Sequence, residues 1–100
     1  VDYWQLTEEE TQRANEMGWE YGWDHANYVE AYGSEGVSKI HYPAQMDPDV
    51  TVDLFRAGRI SPREQTKRFA MWRLFKVAFK EGQRRYRRGL NADGTPRETD

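Results

Sequence analysis

The chain has 100 residues, no cysteine and a formal net charge of −2. That bounds it to one small domain and excludes a disulfide framework, a thiolate zinc site and a cysteine nucleophile. No apolar run approaches the roughly 20 residues of a membrane-spanning helix, so a soluble cytoplasmic protein is expected.

The opening "VDYWQL" reads as a lead-in whose Tyr3, Trp4 and Leu6 tuck against the body. Thr7 then begins "TEEE". A threonine followed three positions later by Glu10 is a capping box, and Glu8 and Glu9 suit the positive end of a helix. The pattern predicts a first long helix over residues 7–32, with Gly33 as its stop.

Inside that helix, "EMGWEYGWDHANY" places Gly18 and Gly22 four apart, each followed by a tryptophan. A glycine in a helix interior costs roughly 1 kcal/mol relative to alanine. Alternation of Trp19, Tyr21 and Trp23 with polar residues would suit a strand, but it lasts only a few residues. At about 100° per residue, Ala14, Gly18, Tyr21, Gly22, His25, Val29 and Tyr32 share one face, and Glu9, Glu16, Glu20 and Asp24 lie behind it. The helix is therefore the better reading. Ala14, Gly18, Gly22 and Ala26 then form a ridge of small residues on which another helix can come close.

Residues 33–45, with two glycines and Pro43, form a connector in which a short strand over Val37 to Tyr42 is weakly supported. Asp47 caps and Pro48 opens a short middle helix over residues 48–57, followed by Gly58. Ser61, Pro62 and Glu64 start the second long helix, residues 61–88, which Gly89 ends. Its apolar face holds Met71, Leu74, Phe75, Ala78, Phe79, Gly82 and Tyr86. The expected fold is all-α. The two long amphipathic helices make an antiparallel pair through Gly18/Gly22 and Ala78/Gly82, with Tyr21, Phe75 and Phe79 on the flanks. Residues 1–89 form the helical domain, and the polar residues 90–100 read as a disordered tail.

The net charge conceals a division. Residues 1–55 carry 12 acids and two bases, and residues 56–100 carry 13 bases and five acids, balances of −10 and +8. Such asymmetry predicts internal neutralisation, self-association or a charged partner.

Three groups of residues are candidates for function. Trp19 and Trp23 sit on the shoulder of the first helix near Glu20 and Glu30, where exposed tryptophans would anchor a protein partner or a second copy; otherwise they cover the core edge against the lead-in or the connector. Arg73, Lys76, Lys80, Arg84 and Arg87 share one flank of the last helix with Phe69, a face suited to nucleic-acid phosphates. The competing account is a solvated or neutralised face. Glu20, Asp24, His25 and His41 do not converge on the helical wheel, so a metal site is not expected and His25 reads as a partly buried structural residue. No phosphate-binding glycine loop, HExxH or GxSxG is present. These patterns predict a protein that is not an enzyme, holds no cofactor, and acts through a protein partner or self-association, with nucleic-acid binding by the basic flank as the alternative. In style, a short helical chain rich in aromatics and glycine is similar to phage and plasmid accessory proteins, with no shared motif.

Overall fold

A computed structural model of the protein describes residues 5–33 and 42–98. The expected packing of Tyr3 and Trp4, the strand over residues 37–42 and the position of His41 lie largely or wholly outside them. Three helices follow in order: α1, Glu8–Tyr32; α2, Pro48–Arg56; and α3, Pro62–Arg87. No helix among the described residues is long and apolar enough to cross a membrane.

The helix starts form as their capping residues dictate. The Thr7 hydroxyl accepts from the Glu10 amide at 3.1 Å, and the Glu10 carboxylate accepts from the Thr7 amide at 3.0 Å. Asp47 accepts from the amides of Asp49 and Val50, and Ser61 from that of Glu64. Each contact satisfies a backbone donor that a helix start leaves open.

The two long helices pack along their whole length, but they run parallel, not antiparallel as expected. Glu10 pairs with Lys67, His25 faces Gln83, and Glu30 accepts from Tyr86; these partners are separated by 57, 58 and 56 residues. A constant offset is the signature of parallel helices. The small-residue patches carry no direction, because spacing of four reads alike both ways. The stretch from Gly33 to Ser61 brings the chain back over the roughly 38 Å length of α1.

The glycine floor itself is confirmed. A Cβ on Gly18 would lie 2.8 Å from the Phe75 carbonyl oxygen, one on Gly22 would overlap the Phe79 carbonyl, and one on Gly82 would overlap the Trp19 carbonyl. These obstacles are backbone, which cannot step aside as a side chain can. Bare glycine is what allows the two backbones to touch.

The core sits along this seam. Ala14, Met46, Met71, Phe75 and Phe79 form a buried cluster, with Leu6, Met17, Tyr42, Trp72 and Leu74 packed against it. Tyr21 meets Phe75 edge-on at 5.4 Å, and Tyr42 meets both Phe75 and Trp72. The turn before α2 thus covers one side of the seam through Tyr42 and Met46.

The other side is covered by a segment read from the sequence as disordered. Residues 90–98 close a compact turn. Leu90 bridges to Pro96, the Asn91 amide donates to the Thr95 carbonyl at 2.7 Å, and Gly94 adopts φ 90°. Polar composition suggested a tail, but Asp93 before Gly94 is a turn signal. The Asp93 carboxylate accepts from both the amide and the hydroxyl of Thr95, and these bonds hold its pKa below the usual aspartate value.

Candidate nucleic-acid interface

The basic residues of α3 follow from the same periodicity that builds its core face. Phe75, Ala78, Phe79 and Gly82 are buried against α1. At 100° per residue, Arg73, Lys80, Arg84 and Arg87 fall on the opposite side of the helix, flanked by Lys76. All five are exposed. Steps of seven residues (73 to 80, 80 to 87) drift only about 20° around a helix, so the cations form a nearly straight row. Val77 lies inside that row and is 70% exposed.

Their charge is scarcely used within the molecule. Arg84 pairs with Glu81 at 2.9 Å, and Lys76 lies 3.9 Å over the Trp72 ring. Among the described residues Arg73, Lys80 and Arg87 make no ion pair. Only Lys67 and Glu10, at 3.2 Å, join the two long helices by charge among those residues. The acids Glu9, Glu16, Glu20 and Asp24 are exposed on the side of α1 turned away from α3. An antiparallel pair would have set Glu8, Glu9 and Glu10 at the same end of the molecule as Arg84, Arg87 and Arg88. The parallel pair holds those groups at opposite ends.

Arg85 belongs to a different surface. Its guanidinium lies 4.4 Å over the Trp19 ring and donates to the Ala92 carbonyl at 2.7 Å. Phe69, expected on the basic flank, is half-buried.

The tryptophan shoulder is already occupied by the chain's own end. Trp19 and Trp23 are half-buried. The Trp23 indole N–H donates to the Leu90 carbonyl at 2.7 Å, and its ring meets Tyr86 edge-on at 5.2 Å. The Arg97 guanidinium lies 4.5 Å over Tyr86, and it donates to the Tyr86 carbonyl at 2.6 Å. Among the described residues, the segment that covers them is the C-terminal turn. Leu90, Ala92 and Arg97 went unnoticed in the sequence because a single arginine in a polar stretch carries no periodic signal.

Of the other expected partner-binding residues, Glu30 accepts from the Tyr86 hydroxyl, a bond that raises the Tyr86 pKa. Glu20 remains exposed at the edge of a shallow groove lined by Glu16, Trp19, Asn91, Ala92 and Asp93. The structure therefore brings Trp19, Glu20 and Trp23 together along one flank, with Glu30 further along and engaged. His25 packs against Phe79 at 5.3 Å, and its Nδ1 lies 3.2 Å from the Gln83 amide nitrogen. Glu20 and Asp24 face away from it. Among the described residues no three His, Cys, Asp or Glu side chains gather as metal ligands would.

No protein-family model matches the chain, and no curated protein or solved structure is detectably similar to it. The functional reading therefore rests on the surfaces themselves.

Proposed function

We propose that the chain is a non-enzymatic nucleic-acid-binding protein whose contact surface is the outer face of α3. The observation that carries this reading is the exposed row of Arg73, Lys76, Lys80, Arg84 and Arg87, in which Arg84 alone has a carboxylate partner among the described residues. The row is about 21 Å long, enough to follow several phosphates. Its cations would act by displacing the counterions condensed on the nucleic acid.

The small net negative charge does not argue against this. The acidic face of α1 is about two helix diameters away, on the order of 20 Å. The screening length at physiological salt is about 8 Å. A phosphate at the α3 face therefore feels the row far more than the distant acids.

The test is binding of fluorescent duplex DNA across a salt series. If three to five phosphates are contacted, the logarithm of affinity should fall with the logarithm of salt at a slope of about −3 to −4.5. Arg84→Ala with Arg87→Ala should reduce that slope by about 2. Lack of binding to duplex or single strand at low salt would overturn the reading.

A second reading keeps the contact at Trp19, Trp23, Glu20 and Glu30, with a protein as partner. Its support is the groove between α1 and the C-terminal turn, which leaves Trp19 and Glu20 at an open edge. A retained protein that is lost on Trp19→Ala, with helical circular dichroism unchanged, would favour this surface over α3.

A further inference from the structure

The two charged faces of this molecule are opposite in sign and similar in length. On α1, Glu9, Glu16, Glu20 and Asp24 are exposed on the side away from the seam, interrupted by Arg13 alone among the basic residues of that helix. From Glu9 to Asp24 this row is about 22 Å long, and from Arg73 to Arg87 the basic row is about 21 Å. Both rows are carried by helices, which hold them straight. Among the described residues none of Glu9, Glu16, Glu20 and Asp24 has an ion-pair partner, and neither do Arg73, Lys80 and Arg87.

The rows cannot meet within one chain, because each lies on the side of its helix turned away from the seam between α1 and α3. They can meet between chains. We propose that the partner of the α1 acidic face is a second copy of this chain, which lays its α3 basic face along Glu16, Glu20 and Asp24. The spacing suits such a contact: Glu16 to Asp24 covers about 12 Å, and Arg73 to Lys80 about 10 Å. This deepens the reading of α3 as an anion-binding face, because the carboxylate row presents to it what a phosphate backbone would. It also supplies regulation: a copy seated on α3 excludes nucleic acid, and nucleic acid excludes the copy.

The contact is heterologous. Each copy that uses its α3 face leaves its own α1 face free, so association is open-ended unless a rotation closes it into a ring. Because the interaction is between exposed charges, it is strongest at low ionic strength and is screened by salt.

Charge reversal tests the idea without nucleic acid. One variant carries E16K, E20K and D24K, so that both of its faces are basic. The other carries R73E, K80E and R84E, so that both are acidic. All six positions are exposed, and circular dichroism checks that each variant keeps its helices.

Sedimentation equilibrium at low salt should give the native chain a mass above the 11.9 kDa of one copy, returning to that value at high salt. Each variant alone should remain at the single-copy mass, and an equimolar mixture should associate again. A native chain that stays at the single-copy mass at low salt and high concentration would overturn the proposal. So would association that survives either reversal, or folded variants that stay apart when mixed. Duplex DNA added to the native assembly should displace copies from one another, read as chains leaving the assembly for a complex with the labelled duplex. If self-association holds but DNA neither binds nor competes, the nucleic-acid reading fails while this one stands. If DNA binds to a chain that never self-associates, the outcome is the reverse.

Discussion

The two faces of α3 are built under different constraints. On the inner face, Gly82 lies against the Trp19 carbonyl, Ala78 against Gly18, and Phe79 against Gly22. Each position there is set by contact between atoms, and a Cβ added at Gly18, Gly22 or Gly82 would run into backbone. On the outer face, Arg73, Lys80 and Arg87 touch no carboxylate among the described residues, and Val77 stands exposed among them. Nothing in the packing requires those residue types. The comparison separates what the fold demands from what is left free for a partner. The tryptophans of α1 stand between these cases, partly exposed but engaged within the fold: Trp23 is bonded to Leu90, and Trp19 lies under Arg85.

The sharpest way to break this contrast is Gly22→Ala. Helix propensity alone would favour alanine by about 1 kcal/mol. Overlap with the Phe79 backbone should reverse that and cost about 3 kcal/mol or more, which is a fall in melting temperature of at least about 12 °C. A variant as stable as the native chain would show that the helices are not in backbone contact.

A smaller effect is expected at the C-terminal turn. Arg97→Ala removes a hydrogen bond to Tyr86 and the stacking on its ring, and should destabilise by about 1 kcal/mol. Amide exchange in residues 90–98 should rise more than in α1 or α3. Uniform exchange throughout would mean the turn is an integral part of the cooperative fold rather than a cover upon it.

The capping box gives a pH-dependent effect that is smaller again. The Thr7 amide donates to the Glu10 carboxylate and, against the opposing effect of burial, holds its pKa below the ordinary 4.5, with help from the Thr7 hydroxyl and Lys67. A depressed carboxylate adds stability that is present above its unfolded pKa and lost as pH falls through the folded value. Acid unfolding of the native chain should therefore steepen below about pH 4.5, and Glu10→Gln should flatten that dependence. A Glu10→Gln curve parallel to the native one would remove Glu10 from the account.

The smallest stability effect belongs to the outer face. Arg84→Ala with Arg87→Ala should change stability by no more than about 0.5 kcal/mol while reducing the salt dependence of nucleic-acid binding. A large loss of stability would mean that the row is structural and that the contrast between the two faces of α3 is false.

Much of the fold was legible in the chain. Thr7, Asp47 and Ser61 locate the helix starts because each offers a side-chain oxygen at the position where the backbone needs an acceptor. The glycine floor was legible because two unfavourable residues at helical spacing require a compensating contact. The basic row was legible because helical periodicity separates it from Phe75, Ala78 and Phe79. The C-terminal turn was not, although Asp93 and Gly94 mark it, because its stability depends on Trp23, Arg85 and Tyr86, which are distant in sequence or face it only after folding.

By itself, then, the sequence determined the helices, their apolar faces and the need for a close approach at Gly18, Gly22 and Gly82, since those depend on local geometry and a repeat of about 3.6 residues. Only the tertiary structure decided the direction of α3 relative to α1. Ridges of small residues look alike in both directions, so direction had to come from the long return between Gly33 and Ser61 and from pairs such as Glu10 with Lys67. The seam, by burying the small-residue face of α1 against the apolar face of α3, leaves the acids of α1 and the bases of α3 apart on opposite outer faces instead of neutralising each other.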